Sequence, residues 1–177
     1  MPSLQLTKGN APDGLHAIWR AAANDASLAR GPIAARELVY AFSIVDAASD
    51  DALMARALAL PPGDHLLRLD RVNFPPGGEA FLHTHQGPGI RVLLFGSITI
   101  TTQGSVHTYL PGEAWFETGP DAVHAATHAD EPSAFVRSLV LPAALAGKPS
   151  IRYVRDEDRD RPKSQRYTVF LEEPVTL

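Results

Sequence analysis

Two histidines one residue apart, His83 and His85, stand in the run "GGEAFLHTHQGPGIR" at residues 77–91. Along a strand, side chains alternate between faces, so both imidazoles point the same way with Cα atoms about 6–7 Å apart. That spacing lets two neutral imidazoles converge on one ion, and imidazole suits zinc, iron, nickel or manganese. Two ordinary polar residues on a strand would read the same way, so the neighbours decide. The chain has no cysteine, which removes thiolate ligands and a cysteine nucleophile. Glu79 shares parity with the pair, but four strand residues place it about 13 Å from His83 at Cα, as a pocket residue rather than a ligand. Glu117 in "EAWFE" is a better-placed reserve donor. Gln86 would reach an ion if the strand bends after His85.

Arg91 raises a second question. Gly89, Arg91, Leu93 and Phe95 share one face of the next strand. An arginine turned into a barrel must be paired, because its guanidinium stays charged and its desolvation is expensive. Two partners remain open: an internal carboxylate such as Glu79 or Glu117, or an acidic small molecule gripped by the planar fork. Phe81 and Trp115 read as core or pocket wall, which a barrel interior needs in any case. With Arg91 and Glu79 they make up the substrate-binding candidates.

The elements that position these residues are short. From 65 to 142, strand-sized runs such as "EAFLHTH", "IRVLLF", "SITITT", "EAWFE" and "AFVRSLVL" alternate with turn signals such as Pro75-Pro76-Gly77-Gly78 and Gly119-Pro120. Close, regular spacing of this kind predicts an all-β sandwich or barrel. It leaves no room for the crossover helices of a parallel sheet. Residues 1–64 are alanine-rich and read as an extension of short helices plus a strand. "DGLHAIWRAAANDA" predicts a helix capped by Asp13, with Leu15, Ile18, Trp19 and Ala22 on one face. "RELVYAFSIVDA" predicts a strand. "DDALMARALAL" predicts a second helix, stopped by Pro61-Pro62-Gly63. In residues 143–177, "RDEDRDRPK" reads as a solvated loop and "QRYTVFLEE" as a last strand completing the sheet.

Gly77, His83-x-His85 and Gly96 in order, followed by "PGEAWFETGPDAVHA", resemble the two motifs of the cupin superfamily in its small, single-domain, RmlC-like bacterial form. The resemblance covers about residues 65–142. It implies a double-stranded β-helix, the jelly-roll barrel, holding a divalent metal ion (zinc, iron, nickel or manganese). Carried over residue by residue, it implies His83, His85 and His124 as metal ligands. Two positions depart from the pattern. The first motif's glutamate falls at Gly89, which has no side chain to ligate with. Thr118 stands where the second motif usually has proline, with one extra residue before His124.

The chain has 177 residues, of which 45% are hydrophobic and 20% charged, which suits one domain with a sizeable core. A net charge of −4 argues against a duplex nucleic-acid binder. No run approaches the roughly 20 apolar residues of a membrane helix, and the opening residues show no signal-peptide pattern, so a cytoplasmic protein is expected. The N-terminal strand and the C-terminal tail offer sheet edges, so a homodimer is expected. There is no Gly-x-Ser-x-Gly elbow and no P-loop. Two functions follow from the resemblance. One is a metal-dependent oxygenase, isomerase or lyase on a small organic acid, with Arg91 as anion clamp. The other is a non-catalytic barrel that binds or senses a small molecule and whose metal site is degenerate. Fold does not choose between them.

Overall fold

In the computed structural model, which describes residues 1–34 and 38–177, the described residues form three five-stranded sheets, and every pairing in them is antiparallel. The first sheet is built from β1 (Ser3–Lys8), β2 (Leu15–Arg20), β3 (Asp25–Arg30), β4 (Val39–Val45) and β5 (Met54–Ala57), in the order β3-β2-β4-β1-β5. The two helices expected before residue 64 are therefore strands. "DGLHAIWRAAANDA" is the hairpin β2–β3, and its turn at residues 21–24 closes on Asn24, whose φ of 50° asparagine tolerates. His16, Ala17, Ile18 and Trp19 are all buried, so β2 is covered on both faces and shows no clean period of two. "DDALMARALAL" contributes β5, paired with β1. Alanine's helical preference is weak and yields to such pairing. In "RELVYAFSIVDA", β4 runs from Val39 to Val45; Arg36 and Glu37 lie outside the described residues.

The barrel follows: β6 (His65–Phe74), β7 (Glu79–His85), β8 (Gly89–Phe95), β9 (Ile98–Thr102), β10 (Ser105–Tyr109), β11 (Ala114–Glu117), β12 (Val123–Thr127) and β13 (Ser133–Pro142). These strands pair as nested hairpins: β9 with β10, β8 with β11, β7 with β12, and β6 with β13. The nest rolls into two facing sheets, which is the jelly roll. Every strand-sized run expected between 65 and 142 is a strand, because glycine and proline mark each turn.

A 3-10 turn at Ala143–Leu145 follows, and then β14 (Ile151–Tyr153), α1 (Glu157–Asp160) and β15 (Arg166–Val175) finish the chain. β14 extends β7, and β15 extends β6. The sheet orders are thus β10-β9-β12-β7-β14 and β11-β8-β13-β6-β15. The tail strand β15 pairs with β6 on one side and forms an edge of its sheet, whereas β4 lies inside its sheet between β2 and β1. "RDEDRDRPK" is more than a solvated loop: Asp158 is buried beneath Arg161.

The first sheet packs on the outer face of the β6-containing sheet. Leu4, Leu6, Trp19 and Phe42 share one core with Leu67, Leu69, Ile90, Val92, Val136 and Val140. The middle layer is consequently buried on both sides. That is why "AFVRSLVL" reads as a nearly continuous apolar run. Its two non-apolar residues, Arg137 and Ser138, point to opposite faces. Among the described residues no helix is long and apolar enough to cross a membrane.

Candidate functional site

β7 carries His83 and His85 on its inner face, but its pleat is interrupted. Val123 of β12 lies opposite His83, while Ala125 lies opposite Ala80. Three steps on β7 match two on β12, which is a bulge in β7 around Phe81 and Leu82. Ala80, His83 and His85 consequently face one cavity, and Glu79 faces out. On β12, Val123 and Ala125 face that cavity, so His124 between them also faces out. His124 Nε2 lies 2.7 Å from Glu79 Oε1 on the outer wall, with the two side chains 33% and 44% exposed. The structure therefore brings together two of the three expected imidazoles. It sets His124 and Glu79 against each other on the far side of the sheet. Phe81 is buried outside the cavity, under the Arg161 guanidinium at 3.8 Å.

The hydrogen bonds assign the tautomers of the pair. His83 Nδ1 lies 2.7 Å from the carbonyl of Phe81, so Nδ1–H donates and Nε2 keeps its lone pair. His85 Nδ1 lies 3.3 Å from Ser150 Oγ, and its Nε2 lies 3.4 Å from Arg137 Nη1. A guanidinium only donates, so His85 Nε2 accepts. Burial lowers both imidazole pKa values. His85 is held well below the ordinary 6.5, by burial first and then by Arg137, Arg91 and His83. Glu117 Oε2 is 3.5 Å from His85 Nε2, but with His85 neutral this is a contact between two electron-pair donors rather than an ion pair.

The sheet opposite supplies a buried row of charge. Arg91 lies across from Arg137, and Arg137 across from Asp70. Arg137 grips Asp70 with both arms, Nε to Oδ1 at 2.7 Å and Nη2 to Oδ2 at 3.2 Å. Arg91 is fully buried and its Nη2 lies 2.6 Å from Glu117 Oε2; its Nη1 donates to the carbonyl of Gly89 at 2.6 Å. Of the two partners left open for Arg91, the structure shows the internal carboxylate. Glu117 Oε1 accepts from Trp115 Nε1 at 2.9 Å. Burial lowers the Arg91 pKa to about 10, which leaves it charged at neutral pH. Arg68, which also lines the cavity, pairs with Glu172 at 2.5 Å, so three guanidinium groups face three carboxylates and the row is neutral as a whole.

Between the sheets lies a cavity of about 130 Å³. Its apolar wall is Val72, Phe74, Ile100, Trp115, Val123 and Phe135. Its polar end is His83, His85, Glu117, Arg137 and Ser150. The mouth is rimmed by Tyr153, Lys163, Gln165 and Tyr167 of the C-terminal segment. Arg137, Asp70, Ser150 and this rim were missed in the sequence. The signal was there for two of them: a charge inside the apolar runs "AFVRSLVL" and "HLLRLD" must point into something polar.

A metal centre needs at least three protein donors around one point. Two imidazole Nε2 atoms are in place. His124 is on the outer wall. Gly89 admits no side chain, since a Cβ there would lie 2.4 Å from the Ser138 carbonyl and 2.6 Å from Leu139 Cδ2. Gln86 is turned away, its amide oxygen bonded to Arg152 and its nitrogen 3.4 Å from the Pro149 carbonyl. Glu117 lies directly across from Gly89 but is taken by Arg91. Among the described residues no three of His, Cys, Asp and Glu form a group able to hold an ion. The residues present do not fit the metal that the resemblance implies.

No family model and no curated protein matches the sequence. Solved structures do match in part. The polyketide cyclase RemF from Streptomyces resistomycificus matches at 22% identity and a TM-score of 0.43, over 51% of this chain and 61% of the cyclase, under two thirds of its length. An RmlC-like cupin from Shewanella frigidimarina matches at 17% identity and a TM-score of 0.38, over 44% and 68%. A sugar phosphate isomerase of the cupin superfamily from Silicibacter pomeroyi matches at 14% identity and a TM-score of 0.38, over 51% and 68%. These likenesses concern the fold alone. With its nested hairpins rolled into two facing sheets, this chain has the fold of the cupin superfamily.

Proposed function

We propose that the barrel binds a small organic acid without the help of a metal ion. One observation carries the reading: two neutral imidazoles and the Arg137 guanidinium converge in a cavity whose remaining wall is aromatic and aliphatic. A cavity of about 150 Å³ holds a molecule the size of benzene, so 130 Å³ calls for a compact ligand. The acid group lies against Arg137 and the histidines, and the hydrocarbon body lies against Phe135 and Trp115.

Charge balance adds a consequence. Arg91 and Arg137 are already matched by Glu117 and Asp70. A carboxylate bound at the Arg137 end, away from Lys163 at the mouth, leaves one uncompensated buried charge unless a proton enters with it. His85 is the acceptor at hand. The affinity for an acid therefore rises as pH falls, by about tenfold per unit where one proton is taken up.

The cavity opens at its mouth, so benzoate, a little larger than benzene, is the probe and benzamide its uncharged control. Calorimetry in buffers of different ionisation enthalpy is expected to show uptake of about one proton with benzoate and none with benzamide. Ala125→Leu, which fills the cavity without touching a charge, abolishes both. Benzoate binding that survives Ala125→Leu, or no binding of any compact acid, removes the reading. The second reading, a metal-dependent enzyme on such an acid, is decided by elemental analysis of protein purified without chelator. A stoichiometric redox metal in that protein favours it over the metal-free reading.

A further inference from the structure

We propose that Arg91 does the electrostatic work of a metal ion in this barrel: it neutralises Glu117, and so keeps His83, His85 and Glu117 from taking up a divalent cation. The inference rests on the reading that the site works without a metal.

Three observations carry it. First, the carboxylate is in the right neighbourhood. Glu117 of β11 stands directly opposite Gly89 of β8, where no side chain fits. Its Oε2 reaches within 3.5 Å of His85 Nε2, and the His83 and His85 rings lie 4.9 Å apart. Two imidazoles and one carboxylate are the donor set of many iron and zinc centres. Second, the carboxylate is already discharged. Arg91 Nη2 lies 2.6 Å from Oε2, and both groups are buried. Arg91 is itself fixed by the Gly89 carbonyl, so it does not swing aside. Third, the pairing is electrostatic more than directional. Arg91 Nε, Arg91 Nη2 and Glu117 Oε2 have no hydrogen-bond partner of acceptable angle. Oε2 and His85 Nε2 are both electron-pair donors held close together, an arrangement that asks for positive charge beside it. Arg91 supplies that charge on one side and Arg137 on the other.

Removing Arg91 leaves Glu117 buried and unpaired, a state that costs several kcal/mol unless another cation discharges it. The experiment is a Co2+ titration followed by visible absorption on the wild type, Arg91→Met and Arg91→Met/Glu117→Gln. The wild type is expected to bind no stoichiometric cobalt. Arg91→Met is expected to bind about one equivalent, about 100-fold tighter or better, and the double variant to return to the wild-type level. A variant that folds only with Co2+ present counts as binding. Should Arg91→Met not fold at all, Arg91→Gln, which keeps N–H donors without charge, is read in the same titration. Tight cobalt in the wild type overturns the proposal, and so does a variant that binds no better than the wild type. Benzoate binding by the wild type is scored separately. Failure of benzoate and of every other compact acid to bind removes the organic-acid reading while the cobalt comparison stands; a failed cobalt comparison with benzoate binding intact removes only the role of Arg91.

Discussion

At Gly89 the backbones of β8 and β13 approach so closely that a methyl group has nowhere to go. A Cβ would lie 2.4 Å from the Ser138 carbonyl, and a main-chain oxygen cannot swing away as a side chain does. Gly89→Ala is expected to destabilise the fold by about 3 kcal/mol, at the upper end of ordinary overpacking, seen as a lower urea midpoint. A stability unchanged within 0.5 kcal/mol, the scatter of an ordinary surface substitution, would contradict this packing. The same closeness explains why the glutamate of the resembling motif cannot be restored by substitution at 89. The acid enters from the neighbouring strand at Glu117, and there it meets Arg91. What looked in the sequence like a lost ligand is thus one part of an arrangement in which glycine, carboxylate and guanidinium occupy adjoining places.

The elements were unequally legible. β6 to β13 could be read from their turns, because Pro75-Pro76-Gly77-Gly78, Gly96 and Gly119-Pro120 mark where each strand must stop. The first sheet could not, because its hairpin turns on alanines and Asn24 rather than on glycine, and β2 is buried on both faces. The candidate site failed at two places: His124 alternates with Val123 and Ala125, which face the cavity, and β7 carries a bulge. Parity along "EAFLHTH" puts Glu79 and Phe81 on the face of His83, and the bulge reverses both; neither Phe81 nor Leu82 is a residue that marks a bulge. The same bulge moves Phe81 out of the cavity to become the platform for Arg161 and Lys163. These two hold the segment that carries Lys163 and Gln165 to the mouth, helped by Ser164, which bonds both the N–H and the carbonyl of Glu79. Phe81→Leu keeps apolar bulk and removes the ring face. Its expected cost is about 1–2 kcal/mol, from two cation–π contacts of which one is close. Faster amide hydrogen exchange confined to residues 156–165 checks it, and a uniform increase across the barrel would argue that Phe81 is only core.

The whole molecule carries the histidine pair as a pH-dependent term in its stability. Burial holds His83 and His85 below 6.5 in the folded chain, while in the unfolded chain they titrate near 6.5. Above that value both states leave the imidazoles neutral, and the fold has its full stability. As pH falls below 6.5 the unfolded chain takes up protons that the folded chain refuses, so stability declines toward the folded-state pKa values. Each ring that refuses a proton adds at most about 1.4 kcal/mol per pH unit to the slope, and His85, held furthest below 6.5, adds the larger share. Urea midpoints measured from pH 7.5 down to 5.5 are expected to fall, and to fall less in His83→Asn/His85→Asn. A parallel decline in that variant would place the dependence elsewhere. The proposed ligand acts in the opposite direction. An acid bound beside Arg137 lets a histidine accept its proton within the fold, so saturating benzoate is expected to flatten the decline of the wild type by about one proton and to leave the double variant unchanged. Stability and recognition then answer to the same two rings, because the three-sheet fold encloses them too deeply to be charged without a companion anion.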